Sequence, residues 1–146
     1  MRILGLDYGD RSIGLAVSDS LLLTAQPLGA YRLKARDEDN QNYFRDLVKK
    51  YEIGHIVVGF PLRMDGSAGT RVQKTKEFAD WLEKAVGVPI VFWDERLTTQ
   101  QAQGILHGQK IKRKKQKALQ DQVSAVIILA SYLERKNFGN DGPESL

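Results

Sequence analysis

Several residue types are scarce in this chain, and each scarcity excludes a class of site or of protein. Cysteine is absent, which rules out disulfides and thiolate-bound metals. The two histidines, His55 and His107, are too few for a histidine-rich metal cage. No apolar stretch approaches the roughly 18 residues of a membrane span, and the start at Met1 lacks signal-peptide anatomy. We therefore expect a cytoplasmic protein with no membrane partner.

Basic residues are unevenly distributed along the chain. The 146 residues include 22 basic and 18 acidic side chains, a net charge of +4. Six basic residues and no acidic one lie within residues 110–117, so the remainder of the chain carries a net charge of −2. Such a basic patch suits a polyanionic partner, although most charge runs are only solvated loops. The contrast with the acidic remainder favours phosphate binding.

The apolar pattern predicts a single α/β domain over residues 1–137 and a flexible tail over 138–146. Short apolar runs bounded by turn residues predict strands, and apolar residues at helical spacing predict helices. The predicted order is βββαβαβα, with a short additional helix before the last. Predicted strands lie near 3–6, 12–18, 25–34, 55–60 and 89–93, and predicted helices near 40–51, 71–86, 98–107 and 117–136.

This order of elements predicts a five-stranded mixed sheet with helices on both faces, because three meandering strands precede a helix–strand alternation. The first strand then lies between the antiparallel and the parallel parts of the sheet. That junction is a topological switch point, where open α/β sheets place their sites. Asp7 follows the apolar part of this strand, and a desolvated carboxylate there needs a cation or a shared proton.

Two further acids can join Asp7 at that edge. Glu95 follows the last predicted strand, and the carboxyl ends of parallel strands share one edge of a sheet. Asp121 lies in the first turns of the last predicted helix and converges on this edge if the helix starts there. Carboxylates a few ångströms apart raise one another's pKa. Mg²⁺ or Mn²⁺, which prefer oxygen ligands, relieve that repulsion.

An all-oxygen metal site beside a basic patch predicts phosphodiester hydrolysis. One or two ions would bind Asp7, Glu95 and Asp121, and two ions about 3.5–4 Å apart can hold the attacking water and the leaving oxygen in line. Tyr8 is the candidate for contact with a base or a ribose. The candidates for phosphate binding are Arg11, Arg63, Arg96, Lys110, Lys112, Arg113, Lys114, Lys115 and Lys117.

Each acid also has an ordinary structural interpretation. Asp7 can serve as an Asx-type turn residue, Glu95 as a member of a surface ion pair, and Asp121 as a favourable charge near a helix start. Asp94 competes with Glu95, but side chains alternate between the faces of a regular strand, so both cannot point inward. Glu95 is favoured, and Asp94 is expected to cap the helix near Thr98 or to face solvent.

Four segments of the chain, in this order, resemble motifs of the YqgF/RuvX family: Gly5–Gly14, Val58–Gly66, Asp94–Thr98 and Asp121–Val126. The resemblance implies an RNase H-like fold. It also implies a bacterial cytoplasmic nuclease that matures the 5′ end of 16S ribosomal RNA, with Holliday-junction resolvase activity suggested by kinship. In the family's motifs, the residues at Asp7, Glu95 and Asp121 are the metal-binding acids.

One departure from the related RuvC-type resolvases concerns the fourth strand. Those resolvases carry an acid on it, whereas the corresponding strand here, Val57–Pro61, has none. The second carboxylate must then come from Glu95, after the fifth strand. This agrees with the YqgF pattern and weakens a direct transfer of junction resolution to this chain.

Two other functions stay open at this point. The segment Asp7–Gly9 followed by Gly14–Ala16 also resembles the first phosphate motif of sugar kinases and actin-like ATPases, which need a second domain. Alternatively, the chain is a non-catalytic RNA-binding factor in ribosome assembly, for which the basic patch alone suffices. RNA and branched DNA are both open as substrates, ribosomal precursor particles are candidate partners, and a four-way junction would suit a homodimer.

The basic patch generates a first testable prediction. Changing Lys112, Arg113, Lys114 and Lys115 together to glutamine should weaken RNA binding and flatten its salt dependence, because up to about 6 phosphate contacts of the patch release counterions. Fluorescence anisotropy with a structured RNA at several salt concentrations measures the slope. Lys49→Gln with Lys50→Gln is the matched control outside the patch, and an unchanged slope in the patch variant would contradict the assignment.

Overall fold

The structure is a computed structural model that describes residues 1–9, 11–61, 69–97 and 113–138, with side chains of the last helix described over 123–137. Five strands form one mixed sheet: β1 (Arg2–Tyr8), β2 (Ile13–Ser18), β3 (Ala25–Tyr31), β4 (Ile53–Phe60) and β5 (Ile90–Asp94). Their order across the sheet is β3-β2-β1-β4-β5. β1 pairs antiparallel with β2 and parallel with β4, so it lies at the predicted switch point.

The strand sequences fit these positions in the sheet. β1 and β4 are central and buried on both faces, which is why they contain nearly continuous apolar runs rather than an alternating pattern. β3 is an edge strand and contains Pro27, which lies beside an irregularity in the β2–β3 register. Proline has no N–H group to donate to a neighbouring strand, and an edge strand tolerates this because one of its two sides has no neighbour.

Helices cover both faces of the sheet, as predicted. α1 (Asp37–Lys50) and α2 (Thr70–Val86) pack on one face, and α3 (Arg113–Phe138) packs on the other. The first face buries Leu4, Leu6, Phe44, Phe78 and Leu82, and the second buries Ile3, Val57, Ala125, Leu129 and Leu133. None of the described helices is both long and apolar enough to cross a bilayer.

The direction of α3 follows from its contacts with β4. Tyr132 lies beside His55, with 3.2 Å between the hydroxyl oxygen and Nε2, whereas Ile128 lies over Gly59. Since β4 runs from His55 to Gly59, α3 runs antiparallel to it. The amino-terminal half of α3 therefore points toward the carboxyl edge of the parallel strands, the edge at which the acids are expected.

Two details at helix starts differ from the sequence pattern. The Thr70–Gln73 spacing is typical of a capping box, yet the N-cap of α2 is Gly69 and no side chain caps the helix. The described part of α3 is already helical at Arg113, whereas the apolar pattern predicts a start near residue 117. Lysine, arginine and glutamine are good helix formers even where no apolar periodicity marks the helix. The predicted helix over 98–107 and the tail beyond residue 138 lie outside the described residues.

The packing of β1 against α3 predicts that Gly5 cannot accept a side chain without cost. A Cβ atom there would lie 2.8 Å from Cβ of Leu129 and 3.3 Å from the carbonyl oxygen of Ala125. Gly5→Ala should lower the free energy of unfolding by roughly 1–3 kcal/mol, the usual cost of overpacking a core. Urea denaturation followed by circular dichroism measures this loss.

Gly54→Ala is the matched control for that measurement. Its Cβ would meet Met1 first, at 3.1 Å from Cβ, and Met1 is 80% exposed, so it can move aside. Equal losses of stability in the two variants would show that the β1–α3 contact is not as tight as described.

Candidate functional site

Asp7 is a buried residue of the central strand. It is the penultimate residue of β1 and only 9% of its surface is exposed. Its partner on β2 is Gly14, and because Leu6 pairs with Val58 on β4, Gly59 is the next residue along on that side. Asp7 is therefore a strand residue bordered by glycine on both neighbouring strands, and it precedes the turn that follows β1.

Glu95 reaches from the end of β5 toward Asp7. It is the first residue of a 3₁₀ turn, Glu95–Leu97, which directly follows β5. Its Cδ atom lies 3.3 Å from the position that a Cβ on Gly59 would take, so its carboxyl group lies over β4 rather than over its own strand. Burial raises the pKa of Glu95 most, the charge of Asp7 raises it further, Arg71 opposes both, and the resulting pKa is about 7.

The turn that carries Glu95 is fixed at both ends by hydrogen bonds. Asp94 accepts from the backbone N–H of Arg96 at 2.9 Å and from the Arg96 guanidinium, with the shortest contact 2.6 Å from Nη2 to Oδ2. The Ser131 hydroxyl of α3 donates to the carbonyl oxygen of Leu97 at 3.0 Å. This turn directs the Glu95 side chain, and its geometry depends on the hydrogen bonds of Asp94 and Ser131.

Asp94 and Arg96 form an ion pair beside this turn, which bears on two of the expectations for the segment. Asp94 does not face solvent, since it is 4% exposed and accepts from Arg96, while the helix near Thr98 lies outside the described residues. The Arg96 hydrogen bonds lower the pKa of the Asp94 carboxyl. Nε and Nη2 of Arg96 donate to Asp94, so this residue shapes the turn that presents Glu95, and phosphate binding by Arg96 stays a prediction.

Arg71 is a residue of this edge that the sequence argument missed. It lies in the first turn of α2, its Nη2 donates to the carbonyl oxygen of Tyr8 at 3.4 Å, and its charge lowers the pKa of Glu95. A sequence signal for it existed. Cations are unfavourable in the first turn of a helix because the dipole is positive there, so an arginine at that position suggests an acidic or anionic partner.

The third acid, Asp121, is placed only by its backbone. Residue 121 lies in α3 one turn before Ala125 and two turns before Leu129, so these three positions share one row of the helix. Ala125 and Leu129 are the residues that contact Gly5 of β1. Since α3 runs antiparallel to the parallel strands, one turn toward its start leads toward the carboxyl end of β1. The side chain of Asp121 lies outside the described residues, and its convergence with Asp7 stays a prediction.

The predicted substrate-binding residues fall into two groups. Tyr8 and Arg11 are described at the carboxyl end of β1 and in the turn that follows it; Arg11 is exposed, and the Tyr8 ring stacks on Phe78 with 4.7 Å between centroids. Side chains outside the described residues are those of Arg63, Lys110, Lys112, Arg113, Lys114, Lys115 and Lys117. The backbone of 113–117 belongs to α3, so that part of the basic patch is helical rather than a loop.

The donor chemistry of this edge fits a hard divalent cation. Asp7 and Glu95 are largely buried and repel one another, which is the condition that a cation with oxygen ligands relieves. Over the residues whose side chains are described, no group of three or more His, Cys, Asp or Glu side chains forms a metal cluster. The side chains of two of the three predicted acids are therefore described, and a complete ligand set would require a third.

Comparison with known proteins places the chain in a well-populated group. A family model described as "RuvX: Holliday junction resolvase" matches residues 1–135. A protein of Halothermothrix orenii is 47% identical over 137 residues, covering 94% of this chain and 97% of the relative. A protein of Geobacillus sp. is 42% identical over 137 residues, covering 93% and 99%. Both relatives are named "Putative pre-16S rRNA nuclease".

Solved structures share the fold at much lower identity. RuvC of Thermus thermophilus aligns with a TM-score of 0.56 at 14% identity, covering 95% of this chain and 97% of that chain. RuvC in complex with a Holliday junction substrate aligns with a TM-score of 0.53. The yeast mitochondrial Holliday junction resolvase Ydc2 aligns with 0.51 at 11% identity, covering 94% and 81%. The expected RNase H-like fold is confirmed by these likenesses.

The raised pKa of Glu95 predicts how stability depends on pH in metal-free protein. The folded pKa is about 7 and the ordinary value is 4.5, so the folded state binds more protons between these values and loses stability as the pH rises through them. Glu95→Gln removes that loss. Relative to the wild type, the free energy of unfolding of the variant should therefore rise by up to about 3 kcal/mol between acidic solution and pH 8.

Urea denaturation in EDTA at both pH values measures this difference. Glu83→Gln, on the exposed side of α2, is the matched control. Added Mg²⁺ should make the wild type more stable than Glu95→Gln at high pH, because a ligand that binds only the folded state stabilises it and the variant lacks one proposed ligand. A gain for Glu95→Gln that is the same at both pH values would contradict the proximity of the two carboxylates.

Proposed function

Because this chain belongs to the RuvX family, we propose that it is a nuclease that hydrolyses phosphodiester bonds in structured nucleic acid, with the 5′ end of pre-16S ribosomal RNA as its first candidate substrate. One observation carries the proposal. The turn after β5 brings the Glu95 carboxyl group over β4 to the buried Asp7 of the central strand. A pair of repelling carboxylates at the switch point of an open α/β sheet is suited to a divalent cation and a phosphate.

Asp7, Glu95 and Asp121 are the proposed ligands of one or two Mg²⁺ or Mn²⁺ ions. Bound there, such an ion neutralises negative charge on the phosphate and lowers the pKa of water. Asp7, fixed in the regular part of β1, sets the position of the site relative to the sheet. Glu95, carried by the short turn, supplies the second carboxylate, and Asp121 of α3 is the proposed third.

The remaining residues act on the substrate by charge and stacking. Arg71 lies close enough to lower the pKa of Glu95 and can neutralise a phosphate at the same edge. Arg11 is exposed in the turn after β1. The basic patch over 110–117 is the proposed phosphate-binding part of the interface, because its six basic residues contrast with the net charge of −2 on the rest of the chain.

The choice of substrate draws on the relatives. The two relatives described above carry a name for pre-16S rRNA processing, and RuvC, which shares the fold, has been solved with a Holliday junction. The absence of an acid on β4 separates this chain from the RuvC pattern and favours the RNA substrate. Junction resolution is the second candidate because the family model carries that description. Action in the cytoplasm on ribosomal precursor particles follows from the RNA substrate.

Asp7→Asn tests the proposed site. The variant keeps the shape of the side chain but loses its charge, so cleavage should fall roughly a hundredfold or more while the fold is retained. Cleavage of a precursor 16S rRNA fragment and of a four-way DNA junction, each with Mn²⁺ and with EDTA, measures activity and ranks the two substrates. Asp46→Asn, an identical change on the exposed side of α1, is the matched control.

Each outcome of that experiment has a definite meaning. Cleavage by Asp7→Asn at the wild-type rate would remove Asp7 from the site. Tight RNA binding by the wild type without cleavage of either substrate would favour a non-catalytic assembly factor. Cleavage of the junction in preference to the RNA would favour the resolvase.

A further inference from the structure

Gly59 occupies a position from which any side chain would meet Glu95. It is buried in β4 beside Trp93 of β5. A Cβ placed on Gly59 would lie 2.4 Å from Cδ1 of Ile128, 3.1 Å from Cγ1 of Ile128 and 3.3 Å from Cδ of Glu95. Two groups from different parts of the chain therefore fill the space that a side chain would take: one from α3 and one from the turn after β5.

The register of the sheet explains why this space matters to the site. Leu6 pairs with Val58, so Gly59 follows on β4 at the level of Asp7 on β1. Side chains of paired residues in a parallel sheet share a face, and Gly59, like Gly5, faces α3. β4 separates β5, which precedes Glu95, from β1, which carries Asp7. The Glu95 side chain lies over the α3-facing surface of β4 at Gly59, between its own strand and the strand of Asp7.

We infer that Gly59 is a positioning residue: its lack of a side chain is what allows the Glu95 carboxylate to cross β4 and reach Asp7. Gly14, which pairs with Asp7 from the other side, likewise leaves a side-chain position empty. The Glu95 carboxylate thus occupies a gap in the side chains of the sheet, and the position of one proposed ligand is set by a residue that has no side chain of its own.

The competing explanation is that Gly59 serves only the packing of α3. Ile128 also approaches it, but the approaching Cδ1 is the free end of a flexible side chain and can rotate away. Any shift of the Glu95 carboxyl would change its electrostatic interaction with Asp7. The two explanations therefore differ in what a side chain at position 59 would disturb: stability alone, or the place of the carboxylate as well.

The experiment separates these effects by first removing the closest contact with the helix. Ile128→Val deletes the Cδ1 atom, and Gly59→Ala and Gly59→Val are then introduced in that background and compared with Ile128→Val itself. Mn²⁺ affinity is measured by isothermal titration calorimetry on proteins whose folding is checked by circular dichroism. Affinity should fall in the order Gly, Ala, Val, by roughly tenfold to a hundredfold for the largest change, since displacing a ligand's support typically costs that much. In RNA cleavage, kcat should fall while KM changes little.

Gly5→Ala is the matched control. It adds the same methyl group on the same face of the sheet, against the same helix, but meets Leu129 and Ala125 instead of Glu95. It should lose stability and keep the Mn²⁺ affinity of the wild type. If both alanine variants lose stability and neither loses affinity relative to its parent, Gly59 serves packing only and the inference is overturned.

A crystal structure of Gly59→Val with Ile128→Val makes the result independent of the proposed nuclease activity. Displacement of the Glu95 carboxylate from its place over β4 supports the inference even if the wild type binds no Mn²⁺ and cleaves nothing, which would refute the proposed function alone. A Glu95 carboxylate that keeps its wild-type place beside Asp7 overturns the inference whatever the activity.

Discussion

The electrostatic repulsion between Asp7 and Glu95 is the constraint on which the candidate site depends. Asp7 is buried and Glu95 is partly buried, and burial together with the neighbouring charge raises the pKa of Glu95 to about 7. Such a pair is unfavourable for the fold by itself. Arg71 offsets part of the cost at the edge of the sheet, and a divalent cation would offset more of it. The site is thus prepared to bind positive charge because the fold has placed negative charge where water cannot stabilise it.

The rest of the fold keeps the two carboxylates together. β1 is central, with antiparallel β2 on one side and parallel β4 on the other, so Asp7 cannot shift without breaking pairing on both sides. The position of Glu95 depends on a short turn, which is fixed by the Asp94–Arg96 ion pair and by Ser131 of α3. The direction of the Glu95 side chain also depends on the absence of a side chain at Gly59 in β4. A rigid strand therefore fixes one acid, and several weak local contacts direct the other.

The chain is similar to two groups of proteins, one in sequence and the other in fold alone. Relatives more than 40% identical over nearly the whole chain establish the RuvX family, and resolvases at 11–14% identity share only the fold. A shared fold with little shared sequence leaves the positions of the acids free to differ. Here the acid enters from the turn after β5 and lies over β4, which has no acid of its own. The fold preserves an edge at which acids can meet, and the family determines which strands provide them.

The sequence alone determined the order of the described strands and helices and the central place of β1, because apolar runs, turn residues and strand alternation are local signals. It also singled out Asp7 and Glu95 as the candidate acids of the carboxyl edge. It predicted a start near residue 117 for α3, which is already helical at Arg113, since a solvated basic segment can be helical without apolar periodicity. Only the tertiary structure decided that Asp94 is buried against Arg96, that Arg71 joins the edge, and that Gly59 leaves the gap which Glu95 fills. These relations join residues that are distant in sequence or depend on the path of one turn. The physical reason is that burial, repulsion and close contact are properties of packed layers, which no local pattern of residues specifies.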